Sequence, residues 1–224
     1  MSLDAVIFDC DGVLIDSEVI CLAVELECLA ELGLHYDRDA YAARYLGTMD
    51  IEFIGGLNDD HHQRFGKPLP DTFTEQMSDR IWARINTDLT IIAGVHDFAA
   101  ALHLPKAIAS GSSTAGLERK PRQVGLFETF APHIYSAQLV ARGKPAPDVF
   151  LHAAQAIGVA PENSLAVEDS VNGVTAARAA GMRVIGFTGG GHCTPGHGAR
   201  LRAAGAEHVV EYMDHLLAVL GRMS

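Results

Sequence analysis

The chain has 224 residues, 48% of them hydrophobic, and a formal net charge of −11 with histidine neutral. That length suits one large domain or a core with a modest insertion, and the apolar content excludes a disordered chain. The acidity argues against a nucleic-acid or membrane-surface binder, and no apolar run reaches the ~18 residues of a membrane span. The opening MSLDAVIFD meets an acid at once and carries no signal pattern, so the expectation is a soluble, cytoplasmic protein. Cys10, Cys21, Cys28 and Cys193 show no CxxC spacing and read as buried thiols.

The first run, DAVIFD (4–9), is short, apolar and ends on an acid, as suits a strand buried on both faces of a parallel sheet. Residues 17 to about 88 then break into helical spacing. SEVICLAVELECLAELG closes on Gly33, and three further stretches with turns between them also read as helices. From there strand-like runs recur at KAIAS (106–110), HIYSA (133–137), SLAVED (164–169), RVIGFT (183–188) and HVV (208–210). Helical stretches separate them at 114–124, 148–157, 171–180 and 199–204. Alternation of this kind predicts an α/β fold, a doubly wound parallel sheet of the Rossmann-like type. The expected division is a core of residues 1–16 and 89–224 with a helical cap, 17–88, inserted after the first strand.

Chemistry concentrates where strands end. Asp9-Cys10-Asp11-Gly12 follows the first strand, and ligands of doubly wound sheets bind at that edge. A carboxylate can attack phosphorus, and a second one nearby can protonate the leaving oxygen. The two jobs need opposite protonation states, so the site must push the two pKa values apart. Ser110 and Gly111 at the end of the second strand can hold phosphoryl oxygens. Lys144, ahead of Pro145 and Pro147, can offset the charge shared by nucleophile and phosphoryl group. Glu168 and Asp169 at the end of the fourth strand supply, with Asp9, the hard oxygen ligands that suit Mg²⁺.

DCDGVLIDS (9–17), ASGSS (109–113), GKPAPDVF (143–150) and VEDSVNGVTAARAAG (167–181) resemble, in order and spacing, the four motifs of the haloacid dehalogenase superfamily. The chain looks closest to the β-phosphoglucomutase-like branch, and FDCDGVLIDSEVIC (8–21) is similar to the opening of 6-phosphogluconate phosphatase-like proteins. The resemblance implies a phosphatase acting on a small phosphorylated metabolite such as a sugar or sugar-acid phosphate. It makes Asp9 the nucleophile and a Mg²⁺ ligand, and Asp11 the general acid/base, binding Mg²⁺ through its carbonyl. Ser110 and Lys144 bind the phosphoryl group; Asp169 is a metal ligand, and Glu168 a direct or outer partner. Glu18, Arg44, Gly47 and Thr48 are candidates for lining the cap side. The alternative is a sugar phosphomutase. Mutases of that branch carry a cap histidine, lysine and arginine where this chain has Cys21, Leu46 and Asp50. Dehalogenases of the superfamily lack the second motif acid, here Asp11. The expected partner is a small phosphate ester, with no nucleic acid or membrane, and the expected state a monomer.

Weaker features read blandly. His192, Cys193 and His197 lie in a glycine-rich loop without a second cysteine, which disfavours a zinc site. His61-His62 reads as a solvated face, and Trp82 with Ile81 and Ile85 as packing in the cap.

Overall fold

A computed structural model describes residues 3–45 and 50–223. After strand β1 (Ala5–Phe8) come helices α1 (Glu18–Glu31), α2 (Arg38–Tyr45), α3 (Asp50–Phe65), α4 (Phe73–Asp88) and α5 (Val95–Ala101). Then follow β2 (Lys106–Ser110), α6 (Thr114–Gln123), α7 (Phe127–Phe130), β3 (Ile134–Ser136), α8 (Asp148–Ala156) and β4 (Ser164–Glu168). The chain closes with α9 (Val171–Ala179), β5 (Arg183–Phe187), α10 (His197–Ala204), β6 (His208–Val210) and α11 (Met213–Met223).

The described strands form one all-parallel sheet in the order β3-β2-β1-β4-β5-β6. Side chains alternate between its faces, as the pleat requires. On β1, Val6 and Phe8 join α5, α7 and α11 in one buried cluster, while Ile7 joins α8, α9 and α10 in the other. Both faces are dry, which is why these strands read as continuous apolar runs. The strand order reverses between β1 and β4, where Phe8 pairs with Val167. Asp9 and Glu168 therefore leave the sheet side by side, at the switch point where such sheets bind ligands.

Helices α1 to α4 build a core of their own around Leu22, Leu29, Tyr41 and Leu57. Trp82 and Ile81 are partly buried and Ile85 buried where α4 packs against the cluster on the sheet, and the Arg119 guanidinium lies 5.0 Å from the Trp82 ring. One expectation needs correction. His61 is not solvated: it is buried, and its Nδ1 lies 2.8 Å from the Lys67 carbonyl oxygen. It sits one turn after the fully buried Leu57, on the same inward face of α3. His62 alone is exposed. The spacing pattern also assigns no helix to α5 or α11. Cys10 and Cys28 are buried, Cys21 and Cys193 half-buried, and all four are free thiols. Among the described residues no helix is long and apolar enough to cross a membrane.

Candidate active site

The turn after β1 starts with the Asp9 N–H still donating to the Val167 carbonyl (2.9 Å). Gly12 has φ 76°, a conformation that costs other residues strain. A Cβ there would overlap Asp169 Oδ2 and lie 2.7 Å from His192 Cε1. Glycine thus both turns the chain and admits the Asp169 carboxylate.

Asp9, Asp11, Glu168 and Asp169 are all buried. Lys144 reaches into them: its ammonium donates to Asp9 Oδ1 (2.5 Å), to Glu168 and to the Ala109 carbonyl (3.0 Å). The second Glu168 oxygen accepts from the Ser170 N–H (3.2 Å) and hydroxyl (3.1 Å). That hydroxyl in turn caps α9 by accepting from the Gly173 N–H (2.9 Å). Asp11 has a different retinue. Its Oδ1 accepts from Lys120 and Ser17, and its Oδ2 from the Ser112 hydroxyl (2.6 Å). Ser17 stands at the N-cap of α1 but makes no capping bond, because its hydroxyl turns to Asp11.

These surroundings do push the two aspartates apart. Burial raises the Asp9 carboxyl well above its ordinary range; Lys144 opposes this, and Glu168, Asp169 and Asp11 add to it. Burial also acts on Asp11, but the Lys120 charge and the bonds from Lys120, Ser112 and Ser17 outweigh it and hold that carboxyl low. The sense is opposite to the one assigned from sequence, in which Asp9 is ionised and Asp11 protonated. The donor set explains why. Asp9 and Glu168 share one ammonium, and the Asp169 carboxylate, which faces His192, adds its charge to both, so the cluster gathers three carboxyls around a single lysine. Hard oxygen donors in excess of their cations fit Mg²⁺, and a divalent ion there favours ionised Asp9.

The other expected residues fall as follows. Ser110 is buried, and its Oγ accepts from the Ser112 N–H (3.1 Å), which leaves the hydroxyl hydrogen free to donate. Gly111 is exposed, with open space where a side chain would be. Glu18 opens α1 close to Asp11 and Asp169; burial first, then those two charges, push its carboxyl up to about 7. Arg44 is occupied elsewhere, in a two-pronged pair with Asp60 (2.8 and 3.0 Å). Gly47 and Thr48 lie outside the described residues, as does Leu46.

Sequence reading gave no site role to Lys120, Ser112 or Ser17, and weighed His192 and His197 only as a disfavoured zinc cluster. For Lys120 a signal existed: a lone lysine one turn after Leu117, on the buried face of α6. His192 Nε2 lies 3.0 Å from Asp169 Oδ2, and His197 Nε2 lies 2.5 Å from the Asp169 carbonyl oxygen. Nothing in their spacing announces those contacts.

The profile of the haloacid dehalogenase-like hydrolases matches residues 3–181. The 6-phosphogluconate phosphatase of Escherichia coli K12 is 30% identical over 194 residues, covering 86% of each chain. Among solved structures, a haloacid dehalogenase-like protein of unknown function from Agrobacterium tumefaciens C58 superposes with a TM-score of 0.91. It is 42% identical, and the match covers 99% of both chains. A hydrolase of the same family from Deinococcus radiodurans R1, solved with phosphate and sodium bound, gives a TM-score of 0.82 at 36% identity, over 98% of this chain and 96% of that one.

Proposed function

The chain belongs to the haloacid dehalogenase-like hydrolase family, and on that premise we propose that it is a Mg²⁺-dependent phosphatase of a small sugar or sugar-acid phosphate, such as 6-phosphogluconate. The observation that carries this reading is the Lys144 ammonium held between Asp9 and Glu168 at the switch point of the sheet. A buried cation bound to the proposed nucleophile is also placed to meet the phosphoryl oxygens that nucleophile attacks.

An Asp9 oxygen attacks phosphorus, the bond to the sugar oxygen breaks, and the alcohol leaves with a proton from Asp11. Water then attacks the aspartyl-phosphate and passes its proton back to Asp11, which releases phosphate and restores Asp9. The Ser110 hydroxyl, the Gly111 N–H and Lys144 hold the phosphoryl oxygens. Asp11 must be protonated for the first step, although Lys120 holds it ionised in the free site. An arriving phosphate dianion supplies the counterweight, because a like charge nearby raises a carboxyl's pKa. Asp9, Asp169 and the Asp11 carbonyl would hold Mg²⁺, which offsets the repulsion between carboxylate and phosphate. Both Glu168 oxygens already have protein partners, which supports an outer role for it. Residues 17–88 act as the cap over this site and bring Glu18 to its rim. Cys21, where the mutase branch carries histidine, supports water as the final acceptor.

The test is phosphate release from a panel of phosphorylated sugars, sugar acids and polyols. Release should require Mg²⁺, stop on chelation and fall when Ca²⁺ replaces Mg²⁺, because Ca²⁺ prefers more ligands at longer distances. Undiminished release after exhaustive chelation, or none from any phosphate ester, would sink the reading.

A further inference from the structure

The segment TGGGHCTPGH (188–197), which runs from the end of β5 to the first residue of α10, lies at the site but has no part in the reaction above. Two of its histidines grip the same residue by different oxygens. His192 Nε2 meets the Asp169 carboxylate at 3.0 Å, and His197 Nε2 meets the Asp169 main-chain carbonyl at 2.5 Å. The two rings stand edge to face, centroids 5.7 Å apart. We infer that His192 and His197 are positioning residues that clamp Asp169, the first through its carboxylate and the second through its backbone, so that it is pre-set as a metal ligand. This rests on the reading of Asp169 as a Mg²⁺ ligand.

The tautomers support a clamp over a second metal site. His192, Cys193 and His197 offer ligand atoms within 4.8 Å of one another. However, the Arg200 guanidinium lies 3.0 Å from His197 Nδ1 and can only donate. His197 Nδ1 therefore accepts, Nε2 carries the hydrogen, and that hydrogen is spent on the Asp169 carbonyl. His192 Nε2 lies nearer the Asp169 carboxylate (3.0 Å) than the Cys193 sulfur (3.5 Å), and as a donor it serves the carboxylate first.

The surroundings are built to admit the His192 ring. It is only 3% exposed. A Cβ on Gly190 would come within 2.7 Å of His192 Nδ1, and one on Gly12 within 2.7 Å of its Cε1. The loop itself is fixed from two sides. The Gly191 N–H donates to Asp16 Oδ1 (3.0 Å), and its carbonyl accepts from Arg38 of α2 (2.7 Å). Asp169 needs such support, because the like charges of Asp9, Glu168 and Glu18 stand close enough to act on its own. Partners that orient a metal ligand are worth about 10- to 100-fold in metal affinity.

Calorimetric titration of the whole protein with Mg²⁺, without substrate, tests the clamp. His192→Met and His192→Gln have nearly equal bulk, but only glutamine keeps an N–H donor at the reach of Nε2. The expected result is a Kd about 10- to 100-fold weaker in His192→Met, with most of the loss recovered in His192→Gln. Gly190→Ala keeps both histidines in the chain but crowds the ring, and with it the Gly12 carbonyl (2.9 Å), and should weaken binding as His192→Met does; it serves if the methionine variant does not fold. Mg²⁺ binding unchanged in folded His192→Met or Gly190→Ala overturns the clamp. So does a glutamine variant as weak as the methionine one, since bulk and not the donor would then matter. If the unsubstituted protein binds no Mg²⁺ at all, the metal reading fails and the clamp goes with it.

Discussion

Two lysine-centred arrangements lie on either side of the turn after β1, and they treat their aspartates in opposite ways. Lys144 is divided among Asp9, Glu168 and a carbonyl, with Asp169 adding further negative charge. Lys120 serves Asp11, and two hydroxyls from Ser112 and Ser17 join it there. Burial penalises both carboxylates. What differs is the number of like charges and of donors around each. Asp9 ends with its ionised form disfavoured and Asp11 with its ionised form secured. Two acids two residues apart in one turn acquire opposite tendencies from the elements packed around them.

The sharpest way to break the Lys144 side is Asp9→Asn. An amide cannot form the aspartyl-phosphate, so turnover should fall by more than about 10³-fold. The fold should survive, because the replacement is nearly isosteric and removes one charge from a crowded cluster. A folded Asp9→Asn protein with near-normal phosphate release would dismiss Asp9 as nucleophile.

On the Lys120 side, Asp11→Asn should cost about 10²- to 10⁴-fold. The loss should depend on the leaving group. An aryl phosphate leaves readily as its anion, whereas a sugar alkoxide needs a proton. Rapid quenching should therefore show a burst of one aryl alcohol per enzyme followed by slow turnover, and no burst with a sugar phosphate. Equal losses in both first steps would remove Asp11 as the leaving-group acid.

Lys120→Met sharpens the contrast by taking away the charge that separates the two aspartates. Removing one partner of a buried pair costs about 3–5 kcal/mol. Asp11, held low in the folded chain, lends stability that is present above its unfolded pKa and lost as pH falls through the folded one. Lys120→Met should abolish that acid-side stability dependence and, because Asp11 must be protonated to serve the leaving oxygen, move the alkaline limb of kcat/KM to higher pH. Urea midpoints from pH 7 to pH 3 and a pH–rate profile read both; an unmoved limb would deny Lys120 its role.

The smallest effect belongs to Glu18, raised from 4.5 to about 7 mainly by burial. A raised carboxyl favours the folded chain below its unfolded pKa, and that stability is lost as pH rises to 7. Glu18→Gln should flatten this slope by on the order of 1–3 kcal/mol, at about 1.4 kcal/mol per pH unit. An unchanged urea midpoint slope between pH 4.5 and pH 7 would count against it.

By itself the sequence determined the sheet and the site's backbone positions. Strands covered on both faces must be apolar throughout, so DAVIFD and SLAVED stand out, and the acids that close them fall at the edge where ligands bind. Their partners were not legible in the same way. Lys120 meets Asp11 across 109 positions and Ser112 meets it across 101, because α6 leaves the end of β2 and folds back against the turn after β1. His192 reaches Asp169 only because glycines at 12 and 190 leave room for its ring, and His197 reaches it from the start of α10. Arg44 looks like a substrate contact until Asp60 is found facing it, and His61 looks solvated until α3 turns it inward beside Leu57. A one-dimensional pattern records which residues must be dry and where strands end. Which charge neutralises which depends on side chains meeting across the fold, and so does the protonation state of each aspartate; only the tertiary structure decides them.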